Sequence, residues 1–492
     1  MNKYKVIKKR KKKKVDFNLN DIIEKEIKNN SLRRYFPKSF ELILKDLANK
    51  ETKDHKDFTN IPFVTIDGED SKDFDDAVWS INDNNSSKIM IAIADVSYFV
   101  KKNDPLDKEA KKRGNSFYFP DRVIPMFPEE ISNNICSLVP NKERACIVVE
   151  IEMYNCKIIN FNIHRAKIIS TARLTYQEVD QIYYTNLEKN KNFKVIRNLF
   201  ETYKKLKKIS EKRNKINFSS EEFQIIKKKD DKDFFLKKKD NLESYKLIEE
   251  FMILANENVA KYLKSNNLNS IFRNHEKPKD EKIKDLQKLL KENNIYKNEK
   301  FNTQKDFINV LSRINKSNVF IVDFLLRSQS KAYYDNKNIG HFGLGLDYYT
   351  HFTSPIRRYS DLNVHRDLID HFFNKKKNNN EFSLSEYLTI QEKKSESIER
   401  KVMERACSLY IKNSKKKYFI GIIDGIESFG IFIRSLDLPF SCLARTKYID
   451  FKKKGDYKKP IINYKLGQRV SFKIKRNDIL SGKILAHNVK II

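Results

Sequence analysis

A mixed α/β (α+β) domain followed by a small all-β barrel of the OB type is the fold this sequence predicts, on three observations. Apolar runs of strand length crowd residues 61–154. Apolar residues at helical spacing fill much of 177–335 and 386–413. Beyond 417 the pattern turns to short strands punctuated by glycine. About 75 residues of such strands is the size of an OB barrel. The expected organisation is a basic tail and lead-in over 1–57, the larger domain over 58–413 and the barrel over 417–492.

Taken in order, nine Lys or Arg among residues 1–14 make the head a solvated basic tail. It lacks the apolar core of a secretory signal. Phe40, Leu42, Ile43 and Leu47 give the lead-in a helical stretch. Residues 63–66 (Phe-Val-Thr-Ile) read as a strand that delivers an acidic loop, and 88–95 as a buried strand. Gly114, Pro120, Pro125, Pro128 and Pro140 make the next region mostly irregular, before a strand at 145–154. The clearest helix is 244–263, where Leu247, Ile248, Phe251, Ala255, Val259 and Tyr262 recur at helical spacing. Another long helix spans 386–413. In the barrel, strands are expected at 419–423, 430–434, 469–475 and 483–490.

The chain carries a formal charge of +33 over 492 residues, with 39% apolar residues and 34 Phe to build cores. Such a balance suits phosphate backbones or anionic lipid surfaces. No run of about 18 uncharged apolar residues is present, so nucleic acid is favoured and no membrane association is expected. Five cysteines without a CxxC pair argue against a disulfide framework or zinc finger. They point to a reducing, cytoplasmic setting.

Against this basic background stand six carboxylates within ten residues: Asp67, Glu69, Asp70, Asp73, Asp75 and Asp76. Charges so crowded repel unless something positive neutralises them. Hard oxygen ligands suit Mg2+ or Mn2+. Closely spaced Asp residues can hold two ions about 3.5–4 Å apart, one activating water and one stabilising a leaving oxygen. An EF-hand is excluded, because Val78 stands where that loop needs Gly and no Glu closes it. A metal-holding acidic pocket in a basic protein points to metal-assisted cleavage of a nucleic acid.

A second constellation is 351–366, His-Phe-Thr-Ser-Pro-Ile-Arg-Arg-Tyr-Ser-Asp-Leu-Asn-Val-His-Arg. Ser354 followed by Pro355 predicts a helix start, placing Arg357, Asp361 and His365 on one face. Two adjacent guanidinium groups at a helix N-terminus make a phosphate receptor, with Asp361 orienting Arg357 or Arg358. Tyr118, Tyr176 and Phe218 lie in polar, turn-rich surroundings. Rings there serve either a core or a stacked base, and taken alone each favours the core.

Five motifs stand in order: Thr-Ile-Asp-Gly-Glu-Asp-x-x-Asp-Phe-Asp-Asp-Ala (65–77), Ile-Ala-Asp-Val-Ser-Tyr (93–98), Tyr-Phe-Pro-Asp-Arg-Val-Ile-Pro-Met (118–126), Leu-Ile-Glu-Glu-Phe-Met-Ile-Leu-Ala-Asn (247–256) and His-Phe-Thr-Ser-Pro-Ile-Arg-Arg-Tyr (351–359). Together they resemble the catalytic domain of the ribonuclease II and ribonuclease R family, over about residues 58–413. The stretch 421–433 resembles that family's ribosomal S-one-type barrel. The resemblance implies processive 3′-to-5′ hydrolysis of single-stranded RNA to nucleoside 5′-monophosphates. Asp67, Asp73, Asp75 and Asp76 match its four catalytic, magnesium-organising aspartates. Arg357 matches the arginine on the scissile phosphate, with Arg358 beside it. Tyr118 and Phe218 match rings that clamp the 3′ end, and Tyr176 a further tyrosine of the site. One of Glu249 and Glu250, with Glu250 preferred, matches a glutamate near the terminal ribose. Phe429 and Phe432 are expected stacking rings of the barrel.

Two departures from the family pattern bear on function. The two cold-shock barrels that usually precede the catalytic domain have no counterpart in the 57 residues before it, and either the basic head or a protein partner is expected to substitute for them. Residues 440–444 (Phe-Ser-Cys-Leu-Ala) stand where the barrel usually reads Gly-Leu-Val-His. A monomer is expected. A non-catalytic RNA-binding subunit would carry a damaged acid set or lack the arginine, and neither defect is present.

Overall fold

The computed structural model describes residues 17–217, 222–227, 234–314, 319–374, 382–414, 416–445 and 464–492. The basic head therefore lies outside the described residues. Helices α1 (Leu19–Asn29) and α2 (Phe40–Ala48) lead into strands β1 (Lys56–Asp57), β2 (Phe63–Asp67), β3 (Asp76–Asp83) and β4 (Ser86–Ala94). Short helices α3 (Val96–Phe99) and α4 (Pro105–Arg113) and the pair β5 (Phe117–Tyr118) and β6 (Val123–Ile124) precede long strands β7 (Glu143–Tyr154) and β8 (Lys157–Thr175). Next come α5 (Tyr176–Tyr184), α6 (Phe193–Lys212), the paired β9 (Phe223–Lys227) and β10 (Phe234–Lys238), and α7 (Glu243–Ser265). The remainder of the larger domain is β11 (Phe272–Asn274), α8 (Asp280–Glu292), α9 (Gln304–Arg313), α10 (Val319–Ser328), β12 (Tyr333–Asp335), α11 (Tyr359–Phe372) and α12 (Phe382–Asn413). The last strands are β13 (Phe419–Glu427), β14 (Gly430–Ser435), β15 (Ser441–Arg445), β16 (Arg469–Asp478) and β17 (Lys483–Ile491).

The main sheet runs β1-β8-β2-β3-β4-β7, and β8 also pairs with β7, so the pairings form a ring. The length of β8 makes this possible. Its earlier part lies antiparallel to β7, and its last residues lie parallel to β2. Both faces of the sheet are covered. Ile89, Ile91 and Ile93 of β4 meet Leu199, Phe200, Leu247 and Phe251 of α6 and α7. The alternate residues Met90, Ala92 and Ala94 meet Tyr359 and Leu362 of α11 and Phe127. Double-sided burial explains why β4 reads as one continuous apolar run.

One expectation is corrected. Residues 354–358 form a turn, and α11 begins only at Tyr359, with Arg358 extended at φ −129°, ψ 124° and bridging Asn115. Acids elsewhere take the amides that a first helical turn would present. The Ser354 N–H donates to Asp361 Oδ1 at 2.8 Å and the Ile356 N–H to Asp75 Oδ1 at 2.9 Å. Arg357 therefore shares no helix face with Asp361 and His365. His365 is a core residue, its ring stacked on Phe352 at 4.4 Å.

The C-terminal strands close as β13-β14-β15-β17-β16 around Phe419, Ile423, Ile433, Phe440 and Phe472, a barrel consistent with an OB fold. Cys407 and Ile411 of α12 join its core. Ion pairs Arg434–Asp323 and Arg327–Asp424 tie it to α10.

Candidate active site

The sheet delivers the acids to one of its ends. Asp67 closes β2 opposite Thr175 of β8, and Asp76 opens β3 opposite Ile93 of β4. The connecting loop is held largely through its backbone. Arg173 of β8 donates through Nη2 to the carbonyls of Gly68 at 2.7 Å and Glu69 at 2.5 Å. The Ser137 hydroxyl accepts from Phe74 N–H at 3.0 Å and donates to the Lys72 carbonyl at 2.8 Å. The N–H of Leu138 reaches the Phe74 carbonyl at 3.0 Å, and that of Ala94 reaches the Asp75 carbonyl at 2.8 Å. These bonds fix the course of the loop through its main chain rather than through its acidic side chains alone.

Of the six acids, Glu69 and Asp70 are exposed, while Asp67, Asp75 and Asp76 turn inward. Each of these three has one buried carboxylate oxygen, Oδ2, with no hydrogen-bond partner. Burial, then repulsion from Asp76, Asp75 and Asp73, pushes the Asp67 carboxyl up to about 8 against the pull of Arg357. Burial likewise raises Asp76 to about 7 and Asp75 well above the ordinary carboxylate range, with Arg357 opposing both. Among the described residues no three His, Cys, Asp or Glu side chains are already gathered as a ligand set. By donor chemistry the site nonetheless fits hard divalent cations, since buried anionic oxygens without donors are what such ions neutralise.

Arg357 faces this cluster from the turn before α11. Its Nε lies 3.5 Å from Asp75 Oδ2, its Nη2 donates to Ser354 Oγ at 2.8 Å, and its side chain is 44% exposed. Arg358 is turned away onto Asp361, donating to Oδ1 at 2.7 Å, with a buried, unpartnered Nε. Burial disfavours its charge, but Asp361 outweighs this and holds the guanidinium protonated. The Tyr118 hydroxyl donates to Asp73 Oδ2 at 3.0 Å, while 38% of the residue stays exposed. Burial, followed by Asp73, pushes its phenol up. Tyr176, the first residue of α5, lies 4.3 Å from the Tyr245 ring. Burial, then Asp76 and Asp67, raises its phenol.

The remaining expected residues have other surroundings or lie outside the described residues. Glu250 is buried, but its partners are Lys215 at 2.8 Å, Ser210 at 3.2 Å and Arg213 at 3.3 Å, on the segment leading toward residue 218. Glu249 is the more exposed of the two and pairs with Lys215 at 2.6 Å. Phe218 lies outside the described residues. Phe429 and Phe432 stand edge to face at 6.0 Å on the barrel, 52% and 37% exposed. Sequence reading missed Arg173, Ser137 and Tyr245. Arg173 was legible only as the Arg of Arg-Leu-Thr-Tyr beside Tyr176.

Residues 55–374 match the family described as the RNB domain. The chain is 34% identical over 462 residues to Ribonuclease R of Mycoplasmopsis pulmonis (strain UAB CTIP), covering 90% of this chain and 64% of that protein. It is 33% identical over 432 residues to Ribonuclease R of Escherichia coli (strain K12), covering 83% and 53%. It thus spans 53% to 64% of the length of these two curated relatives. Among solved structures, Mycoplasma genitalium RNase R in complex with ribose methylated single-stranded RNA superposes with a TM-score of 0.88 at 29% identity, covering 96% of this chain and 78% of that one.

Proposed function

Because the chain belongs to the RNB-domain family, we propose that it is a 3′-to-5′ exoribonuclease acting processively on single-stranded RNA. It releases nucleoside 5′-monophosphates in the cytoplasm, with Mg2+ (Mn2+ as substitute) held by Asp67, Asp73, Asp75 and Asp76. Residues 58–413 are the catalytic unit, with 1–57 as its lead-in and 417–492 as an RNA-binding barrel. The observation that carries this reading is the approach of Arg357 to Asp75 Oδ2 at 3.5 Å, one of three buried carboxylate oxygens in the pocket that lack a hydrogen-bond donor. A cation donor facing an anionic, cation-seeking pocket is what a phosphodiester between them requires.

When bound, the ions would supply the acidity that makes water a nucleophile at neutral pH and the charge that stabilises the departing oxygen. The chain's own residues do the rest. Water attacks the phosphorus of the last linkage, the P–O3′ bond breaks, and the 3′ oxygen takes a proton. The phosphate stays on the 5′ oxygen of the released nucleotide. Arg357, anchored on Ser354, donates to non-bridging oxygens on which charge grows. Arg358 sets the turn that aims Arg357, through its bond to Asp361. Tyr118 offers a ring face to a base while its hydroxyl positions Asp73, and Tyr176 lines the opposite wall. Phe429 and Phe432 guide the strand farther out.

A 5′-labelled oligo(A) should shorten from its 3′ end to a short end-product, and only with Mg2+ present. Internal cutting of a 3′-blocked substrate at equal speed would overturn the assignment.

A further inference from the structure

Away from the acids, a cavity of about 480 Å³ opens between the end of α2, the segment after it and the start of β7. Five cations line it: Lys50, Lys53, Lys142, Arg144 and Lys167. Its two acids are already engaged. Glu51 pairs with Lys53 at 2.5 Å, and Glu143 takes Lys167 at 3.1 Å and the Thr52 hydroxyl. Among the described residues neither Lys50 nor Arg144 meets a carboxylate. Lys50 Nζ donates to the Tyr98 carbonyl at 2.6 Å, and Arg144 to the carbonyls of Ser137 and Glu143 and the Asn134 amide oxygen. Burial pushes both cations down in pKa, for Lys50 with Arg165 adding to the effect and Asp95 opposing it. An excess of three positive charges suits a phosphomonoester or diphosphate better than the single charge of a diester. Leu47, Phe99 and Ile135 add an apolar wall, and the volume is that of a small-ligand site.

We propose that this cavity binds a nucleotide, holding the terminal phosphate of a nucleoside mono- or diphosphate on Lys50, Lys142 and Arg144 with the base against the apolar wall. The site communicates with the acidic loop. Arg144 Nε donates to the Ser137 carbonyl at 3.0 Å, and Ser137 in turn holds Lys72 and Phe74, one residue before Asp75. Occupancy therefore bears on the geometry of Asp75. That consequence rests on the exoribonuclease reading; the binding does not. The same chemistry comes from two sources, the released 5′-monophosphate or a cellular nucleoside diphosphate.

The test is calorimetric titration of the full chain carrying Asp75→Asn, in EDTA, with uridine, inorganic phosphate, uridine 5′-monophosphate and uridine 5′-diphosphate. Saturable one-site binding of the two nucleotides is expected, with none of uridine. Equal affinities identify the product as ligand; clearly tighter diphosphate binding identifies the cellular pool. Lys50→Met/Lys142→Glu should weaken binding about tenfold, as loss of charge-assisted contacts predicts. Lys142→Glu alone, at an exposed position where folding is not at stake, should weaken it severalfold. With Asp75 intact and no nucleotide added, Lys142→Glu should leave hydrolysis of RNA unchanged. Inorganic phosphate binding as tightly as the diphosphate, affinity unmoved by Lys142→Glu, or no saturation in the millimolar range would each overturn the proposal.

Discussion

Without divalent cations, this fold should lose stability as the pH rises. Asp67 is carried from 3.8 to about 8 and Asp76 to about 7, so the folded chain holds protons that the unfolded chain releases near 3.8. The sign follows from linkage: stability is full in acid and falls between about pH 4 and 8 as the folded carboxyls give up their protons. At about 1.36 kcal/mol per tenfold change in acidity, Asp67 alone amounts to about 6 kcal/mol and Asp76 to about 4 kcal/mol. The two share their repulsion, so the joint effect lies above the larger value but nearer to it than to the sum, about 7 kcal/mol. With an unfolding entropy of about 2.1 cal/mol/K per residue, a chain of this length should lose about 7 °C in Tm.

Buried histidines tilt the curve the other way. Burial pushes His341 down to about 3, and His275, His351 and His365 also below their usual value, so they favour the fold as pH rises from 5 to 7. The quantity to measure is therefore a difference: thermal melts of the parent and of Asp67→Asn/Asp76→Asn, in EDTA, from pH 5 to 9. The variant should gain on the parent with rising pH. Mg2+ should restore the parent more at pH 8 than at pH 5, because protons compete for the same oxygens. A difference that stays flat across this range, or Mg2+ lowering the melting temperature at pH 8, would refute the account of the pocket.

Asp75→Asn keeps an oxygen for the Ile356 N–H but removes a charge, so cleavage of labelled oligo(A) should vanish while filter binding of RNA persists. Arg357→Ala should lower kcat about 10²–10³-fold, the usual loss of one charge-stabilising donor, read in single-turnover assays. Arg357→Lys should recover little of it, because an ammonium cannot reach Ser354 and a phosphate with one fork. Phe429→Ala and Phe432→Ala should each weaken RNA binding by about 1–3 kcal/mol, measured by fluorescence anisotropy, without moving Tm.

How much of this was legible in the sequence depends on the range of the interaction. The acids sit within ten residues, so their crowding is a local fact, as are the apolar periods of α7 and α12. The strand β8 escaped notice because Lys157, Asn160, Asn162, His164 and Lys167 interrupt its apolar residues, and its pairing with both β7 and β2 is a tertiary matter. The misplaced start of α11 has the same origin. Ser-Pro is a sound local signal for a helix start, but Asp75, 281 positions before Ile356, claims the amide that would have begun the turn. Arg357 was singled out through a wrong geometry: it reaches Asp75 from a turn, not from a helix face.

That error carries the physical lesson of the site. Four acids beside one arginine are a poor way to stabilise a fold, since each buried charge lacking a partner costs several kcal/mol. The chain therefore holds the acidic segment by its backbone. Arg173, Ser137, Leu138 and Ala94 bond to carbonyls and amides of residues 68–75, leaving three carboxylate oxygens unanswered. Had Arg173 paired with Asp67 or Asp76, the loop would be calmer and the pocket closed to cations. The arrangement keeps these oxygens poised chiefly through bonds to the loop backbone, while Arg357 approaches one of them, Asp75 Oδ2, at 3.5 Å. It follows that Arg173→Met should loosen the loop and relieve the acids together, lowering the affinity for Mg2+ while narrowing the pH dependence of stability. Loss of metal affinity with that pH dependence unchanged would mean that the acids keep their crowding without the clamp.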